Sequence, residues 1–386
     1  MKKIAFTLIV FIGLSGILNA QQRNNKLTFD NVIINIPNSL TLCPQDIANY
    51  IHSKYSTQDS KIQALYFWIA KNIHYDIENM YSFDYDTIGI ISKTLKTRKG
   101  ICYNYALLFS DISNRLGIKS FVITGYTKID NEIDYTPHSW CAGMIDSKWY
   151  IFDPTWGSGS VSNGNYIKQI DQYYYKMSPK RAIRTHMPFD PLFQFLYYPI
   201  TNNNFCAKRK KPKSNNTYFN FDDSLTVFEN LSITKQLINT KRRLENNGIN
   251  SYFIFTIINQ FRQEIDDNSY NQTIDTYHIA LNSYKEGIFQ LNRFIDYRNK
   301  QFAAIENDSV LIIILDSVEN SFFLSIEYLK HIDSPNQNIQ KQMDNIHKSI
   351  ESNMLYFNEQ RLFLDLYFNT PKNYRRSLFY DRLIDE

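Results

Sequence analysis

The chain has 386 residues, with 42 Lys and Arg against 38 Asp and Glu for a net charge of +4, and 43% hydrophobic residues. That balance excludes a strongly basic nucleic-acid binder and a disordered polyelectrolyte, and the length is enough for two modest cores. Only 4 cysteines are present, too few for a scaffold built on disulfides.

The chain opens on Lys2 and Lys3, an apolar run over 4–18, and Asn19-Ala20. This is the pattern of a secretory signal peptide, and the run is too short for a membrane span, which needs about 20 apolar residues. The first cysteine is Cys43, so no lipid-anchored lipoprotein is expected. Residues 1–20 are expected to be removed, leaving a mature protein that acts in the periplasm or outside the cell.

Residues 32–36, ahead of Pro37, read as an extended lead-in. Thr57 then caps a helix with Asp59 in its first turn and Ile62, Leu65, Tyr66, Ile69 and Ile73 along one face. Its Phe67 and Trp68 read as core packing. A covering segment over 84–97 leads to Lys99-Gly100-Ile101-Cys102-Tyr103-Asn104-Tyr105-Ala106, in which Gly100 predicts a turn. From Cys102 onward Leu108, Phe109, Ile112 and Leu116 recur at the spacing of a buried helix, and Gly117 closes it. Cys102 thus stands in a first helical turn, where unpaired N–H groups and the positive end of the dipole favour a thiolate.

Three short runs rich in β-branched and aromatic residues follow, at 119–126, 138–145 and 148–152. With Asp146-Ser147 as a two-residue hairpin loop, Ile145 pairs with Lys148 and Trp140 lies opposite Asp153. His138 is then the diagonal, same-face neighbour of Asp153, and a slip of one residue would send Asp153 to the other face. Taken singly, Cys102, His138 and Asp153 have ordinary structural explanations: a small buried hydrophobe, a structural imidazole and a turn starter. Together they are the thiol, imidazole and carboxylate that make and resolve a thioester.

Arg98-Lys99-Gly100-Ile101-Cys102 with Tyr105-Ala106 and Leu108-Phe109, then His138-Ser139-Trp140, then Trp149-Tyr150 leading into Asp153-Pro154-Thr155-Trp156-Gly157 resemble the transglutaminase-like superfamily of papain-like cysteine enzymes. Within it, the chain is similar to the secreted bacterial branch that resembles kyphoscoliosis peptidase. Upstream, Phe67-Trp68-Ile69 and Asn72-Ile73-His74-Tyr75-Asp76 extend the resemblance, which covers about residues 57–196. It implies an α+β core in which a helix bearing Cys102 packs on an antiparallel sheet bearing His138 and Asp153. It implies Cys102 as nucleophile, His138 as general acid and base, and Asp153 as the residue that orients and charges the imidazole. Cys141 departs from the family, many of whose members carry Asn there; on the register above it faces away from His138.

Beyond Gly157, Ser158-Gly159-Ser160 and Asn163-Gly164-Asn165 read as loops beside the site, and Trp140 and Trp156 as residues of a substrate cleft. His186 is a candidate second functional histidine or metal ligand, but no histidine before it shows ligand spacing, so a structural role is expected and neither metal nor cofactor is implied. A basic run in 206–217, with Lys208, Arg209, Lys210, Lys211 and Lys213, marks a linker. All but Gly248 and Gly287 of the 12 glycines precede it. The expected organisation is a core domain over 21–205, a linker over 206–223 and an all-α domain over 224–386, with helices at 251–265, 270–302, 309–331 and 336–368 packed as an antiparallel bundle. A helical stretch starting around Leu225 and ending at Asn246-Asn247-Gly248 precedes them.

The expected function is secreted, cysteine-dependent acyl transfer on peptide or carboxamide bonds, hydrolytic or transamidating. No nucleic acid is an expected partner. The competing reading is a non-catalytic secreted binding or assembly module that keeps the cleft, with the helical domain taking an envelope polymer or protein partner.

Overall fold

The structure, a computed structural model, describes residues 34–80, 87–207, 217–303, 308–333 and 336–380. The signal peptide, positions 32–33 of the lead-in, the acidic stretch at 84–86, most of the basic linker and the Ser334-Pro335 break lie outside the described residues. Two compact units divide the chain, Met1–Arg262 and Gln263–Glu386.

The first unit begins with helices α1 (Pro44–Lys54) and α2 (Gln58–Asn72). Thr57 caps α2 by accepting the Ser60 N–H, with Asp59 in the first turn. Ile62, Leu65, Tyr66, Phe67, Trp68 and Ile69 are all buried, so α2 is enclosed on more than the one face its spacing predicts. Each such side chain contributes about 1.5–3 kcal/mol on burial. Strand β1 (His74–Tyr75) pairs in parallel with β2 (Lys99–Gly100) across α3 (Thr87–Thr97). Gly100 therefore sits in a short ladder rather than a turn, and its lack of a side chain serves a close approach: a Cβ there would stand 2.6 Å from Cβ of Asn104.

Helix α4 (Cys102–Arg115) is the centre of the first core, burying Leu108, Phe109 and Ile112 against α2 and the sheet. Gly117 follows its end at φ +75°, the left-handed conformation that closes a helix. The sheet runs in the order β5-β4-β3-β8 and is antiparallel throughout, with β3 Ser120–Ile129, β4 Glu132–Ile145, β5 Lys148–Phe152 and β8 His186–Pro188. Between β5 and β8 lie the hairpin β6 (Gly159–Ser162) and β7 (Asn165–Lys168) and helix α5 (Pro179–Ala182). The triplet at 158–160 thus leaves a turn at Ser158 to enter a strand, and Asn163-Gly164 turns the chain between β6 and β7.

Helices α6 (Asn202–Cys206), α7 (Phe221–Glu229) and α8 (Ile233–Asn246), with the start of α9 (Tyr252–Asn299), belong to this first unit. Phe221 and Leu225 join the core beneath β4 and β5, while Leu244, Ile254, Ile257 and Ile258 pack with Tyr126 and Met187. The Arg243 guanidinium grips Asp190 through two bonds of 2.6 Å, and Thr240 donates to the same carboxylate. This differs from the expected division at 206–223: residues up to Arg262 are built into the sheet-bearing unit because their apolar faces are spent on it.

The second unit consists of the rest of α9 with α10 (Ser309–Lys330) and α11 (Gln337–Asn369). The helices expected at 251–265 and 270–302 are one, since the polar stretch between them holds no Gly or Pro to break it. Conversely, the stretch expected to end at Gly248 is two helices, because Ser232 caps α8 anew. In α11, Ile339, Met343, Ile346, Ile350, Phe357 and Leu364 are buried, a spacing of fours, threes and sevens that gives a helix–helix seam. Arg361 of α11 reaches Asp316 near the start of α10, so the two run antiparallel. Helix α10 has the length and hydropathy of a membrane span, yet its Leu311, Leu315, Val318, Phe322 and Leu329 form the same kind of seam within the unit.

Candidate active site

The three chemistry-bearing residues come together at one end of α4. Asn104 fixes that end: its Oδ1 accepts the Ile101 N–H at 3.0 Å and its amide donates to Thr94 of α3, also at 3.0 Å. Cys102 follows as the first helical residue, half-buried and unpaired with any other cysteine.

The sequence-derived hairpin register holds. Asp146 and Ser147 both have positive φ, 48° and 62°, as a two-residue primed turn requires, and Ile145 pairs with Lys148. His138 Nε2 donates to Asp153 Oδ2 at 2.7 Å. Since Nε2 is occupied, Nδ1 is the nitrogen left for Cys102, which lies within hydrogen-bond reach of the imidazole. Burial by itself disfavours the imidazolium, but the Asp153 carboxylate and Cys102 outweigh it and push His138 up to about 10. Cys141 lies on the opposite face of β4, its thiol donating to the Ala106 carbonyl at 3.1 Å.

Asp153 is fully buried, which opposes its ionisation; the two imidazoles reverse that and hold it well below the usual carboxylate range. Its Oδ1 accepts the Thr155 and Trp156 N–H groups at 2.9 and 3.0 Å. Its backbone carbonyl accepts from the Tyr66 hydroxyl and the Gly157 N–H. Gly157 is required here, because a Cβ would stand 1.8 Å from the Tyr66 oxygen. Tyr66 is thus a polar anchor for the Asp153 turn as well as the core residue its spacing predicts.

The two tryptophans part company. Trp156 is half-buried and stacks on His138 at 5.2 Å between ring centroids. Trp140 is only 1% exposed and packs in the core with Ile123 and Ile151, so it backs His138 from inside rather than facing a substrate cleft. A groove of about 230 Å³ opens beside the start of α4, lined by Asp76, Glu78, Lys93, Lys99 and Tyr103 among others.

His186 was not legible as part of this constellation. It enters on β8, opposite Thr127 of β3, and donates from Nε2 to Asp153 Oδ2 at 3.1 Å. His138, Asp153 and His186 bring their donor atoms within 4.8 Å of one another, a spacing a metal ion also uses. Here both Nε2–H groups are spent on one carboxylate oxygen, so proton sharing accounts for the cluster and no metal is assigned to it.

Residues 45–154, which hold Cys102, His138 and Asp153, match the core of the transglutaminase-like superfamily. They form a transglutaminase-like domain. The match ends one residue past Asp153, so β8 and its His186 lie beyond it. The transglutaminase-like region is similar to kyphoscoliosis peptidase of Mus musculus, 25% identical over 177 residues that make up 43% of this chain and 26% of that protein. The human kyphoscoliosis peptidase is 27% identical over 154 residues, 37% of this chain and 23% of that one. Cytokinesis protein 3 of Schizosaccharomyces pombe is 24% identical over 168 residues, 42% of this chain and 19% of the other. The chain therefore spans about a quarter of the length of these relatives, or less.

Proposed function

We propose that this chain is a secreted, cysteine-dependent acyl-transfer enzyme acting on peptide or carboxamide bonds. The observation that carries the reading is the 2.7 Å bond from His138 Nε2 to Asp153 Oδ2 in an imidazole whose other nitrogen is free to meet Cys102. An imidazolium maintained at neutral pH by a buried carboxylate is the partner that a nucleophilic thiolate needs. Two relatives named as peptidases support the same direction.

In this reading Cys102 Sγ attacks the carbonyl carbon, forming a C–S bond and a tetrahedral oxyanion. The Cys102 backbone N–H, unpaired in the first turn of α4, is one donor to that oxyanion, and such donors matter by about 10²–10³ in rate. His138 passes its proton to the departing amine as the C–N bond breaks. Water or an amine then attacks the thioester, with His138 taking the proton back as the thiolate leaves. The Asp153 carboxylate accepts four hydrogen bonds and orients the imidazole throughout without taking its proton.

The test is alkylation of Cys102 by iodoacetamide across pH, followed by peptide mapping, in wild type and His138→Ala. Exposed Cys43 serves as internal reference. Labelling of Cys102 faster than that of Cys43, and the loss of that advantage in His138→Ala, are expected. Cys102 labelling no faster than Cys43 and indifferent to His138 would overturn the proposal in favour of a binding module. Ammonia release from glutamine peptides, set against incorporation of a labelled amine, separates hydrolysis from transamidation.

A further inference from the structure

Asp153 Oδ2 does not serve His138 alone: His186 donates to the same oxygen at 3.1 Å from the opposite side of the sheet order, on β8. The Thr185 hydroxyl stands 2.8 Å from His186 Nδ1 and 3.4 Å from the Ala182 carbonyl; with Nε2–H given to Asp153, Nδ1 is an acceptor and the shorter of the two contacts takes the hydroxyl proton. His186 is 1% exposed, enclosed by the rings of Trp140 at 5.0 Å and Trp156 at 4.9 Å. Such burial disfavours the imidazolium and keeps this histidine neutral. The titratable groups facing the pair are Asp153 for both, Cys102 of α4 for His138, and the Tyr174 ring for His186.

We propose that His186 is a positioning residue of the acyl-transfer site: fixed by Thr185 as the Nε2–H tautomer, it aims Asp153 Oδ2 at His138 and takes a share of that oxygen's charge. A carboxylate has about four acceptor positions, and here the Thr155 and Trp156 N–H groups and the two imidazoles fill them. Asp153 has no place left for a proton, so it orients and does not relay. Sharing matters because His138 paired with an undivided carboxylate would cling to the proton it must give the leaving amine. Two donors compete for the electron density of one oxygen, so each is held less tightly than a single donor would be. The inference rests on the catalytic reading of Cys102 and His138.

The experiment is the alkylation rate of Cys102 in the full chain from about pH 5 to 11, where the upper inflection reports loss of the His138 proton. His186→Ala should move that inflection up by on the order of one pH unit, the scale of a charge-assisted hydrogen bond. His186→Gln, which restores an N–H donor without a titrating ring, should bring it most of the way back. Thr185→Val leaves His186 in place but frees its tautomer, and should move the inflection the same way by less. An unmoved inflection in folded His186→Ala overturns the inference, as does His186→Gln behaving like the alanine. If His186→Ala does not fold, Thr185→Val decides: a shift supports the proposal and none overturns it. An inflection that depends on His138 and ignores His186 sinks this inference alone; one absent from wild type sinks the catalytic reading, and this inference with it.

Discussion

The sheet-bearing unit and the helical unit use buried polar groups in opposite ways. The first buries Lys128, His138, Asp153, His186, Asp190 and Gln194, each with a named partner: Lys128 donates to the Phe205 carbonyl, and Gln194 exchanges bonds with Ile200. Among the described residues, the helical unit buries only Ser321, Ser325 and Gln360 as polar side chains, and no carboxylate or amine. Its order comes from an apolar seam of repeated spacing. A polar lattice specifies one geometry because each unmet bond inside costs about 1–3 kcal/mol. A seam specifies register and is tolerant of what lies outside it, which suits the first unit to positioning three reactive groups.

Removing one partner from the polar lattice should therefore give the largest loss. Arg243 holds Asp190, 3% exposed, through both carboxylate oxygens, and Asp190 in turn caps the turn after β8 by accepting the Leu192 N–H. Arg243→Ala leaves that carboxylate buried without its cation and is expected to cost about 3–5 kcal/mol in urea unfolding. A loss below about 1 kcal/mol would mean that α8 is not built into the first unit.

The seam makes the contrasting case within two adjacent residues. Phe322 is 1% exposed and its ring lies on Gly287, where a Cβ would stand 2.5 Å from the ring, whereas Phe323 is 60% exposed. Phe322→Ala should cost about 3 kcal/mol, while Phe323→Ala should stay within about 0.5 kcal/mol. Similar losses for both would mean that α10 is covered on its outer face as well as its inner one.

What the sequence made legible follows the same physics. Helix α4 with Cys102 at its start, and the hairpin that brings His138 to Asp153, are local features set by a buried-face spacing and a two-residue turn. The fold class was legible for the same reason. His186 was not, because it reaches Asp153 across 33 residues through the β3–β8 pairing, which no local pattern encodes. The grip of Arg243 on Asp190 spans 53 residues and hid the true extent of the first unit in the same way. For Trp140, strand alternation gave its side of β4 but not that α7 would close over that side with Phe221 and Leu225.

The last expected effect is a pH dependence set mainly by the buried groups of the sheet-bearing unit. His138 is held near 10 in the folded protein, against about 6.5 when unfolded. Its contribution is therefore complete below about pH 6.5 and is lost as pH rises through about 10. Asp153, held low, contributes above its unfolded value of about 3.9 and loses that as pH falls. His186 has the opposite sign to His138: kept neutral when folded, it makes the protein less stable as pH falls below about 6.5. Lys168, its half-buried ammonium brought down to about 8, adds stability as pH rises through that value. Comparing wild type with His138→Gln removes the Lys168 part, since both proteins carry it. Urea unfolding at pH 7 and pH 10 should show wild type losing on the order of 3 kcal/mol more than the variant. Parallel losses would mean that His138 is not protonated at neutral pH, and that the contrast between the two units lies in packing alone.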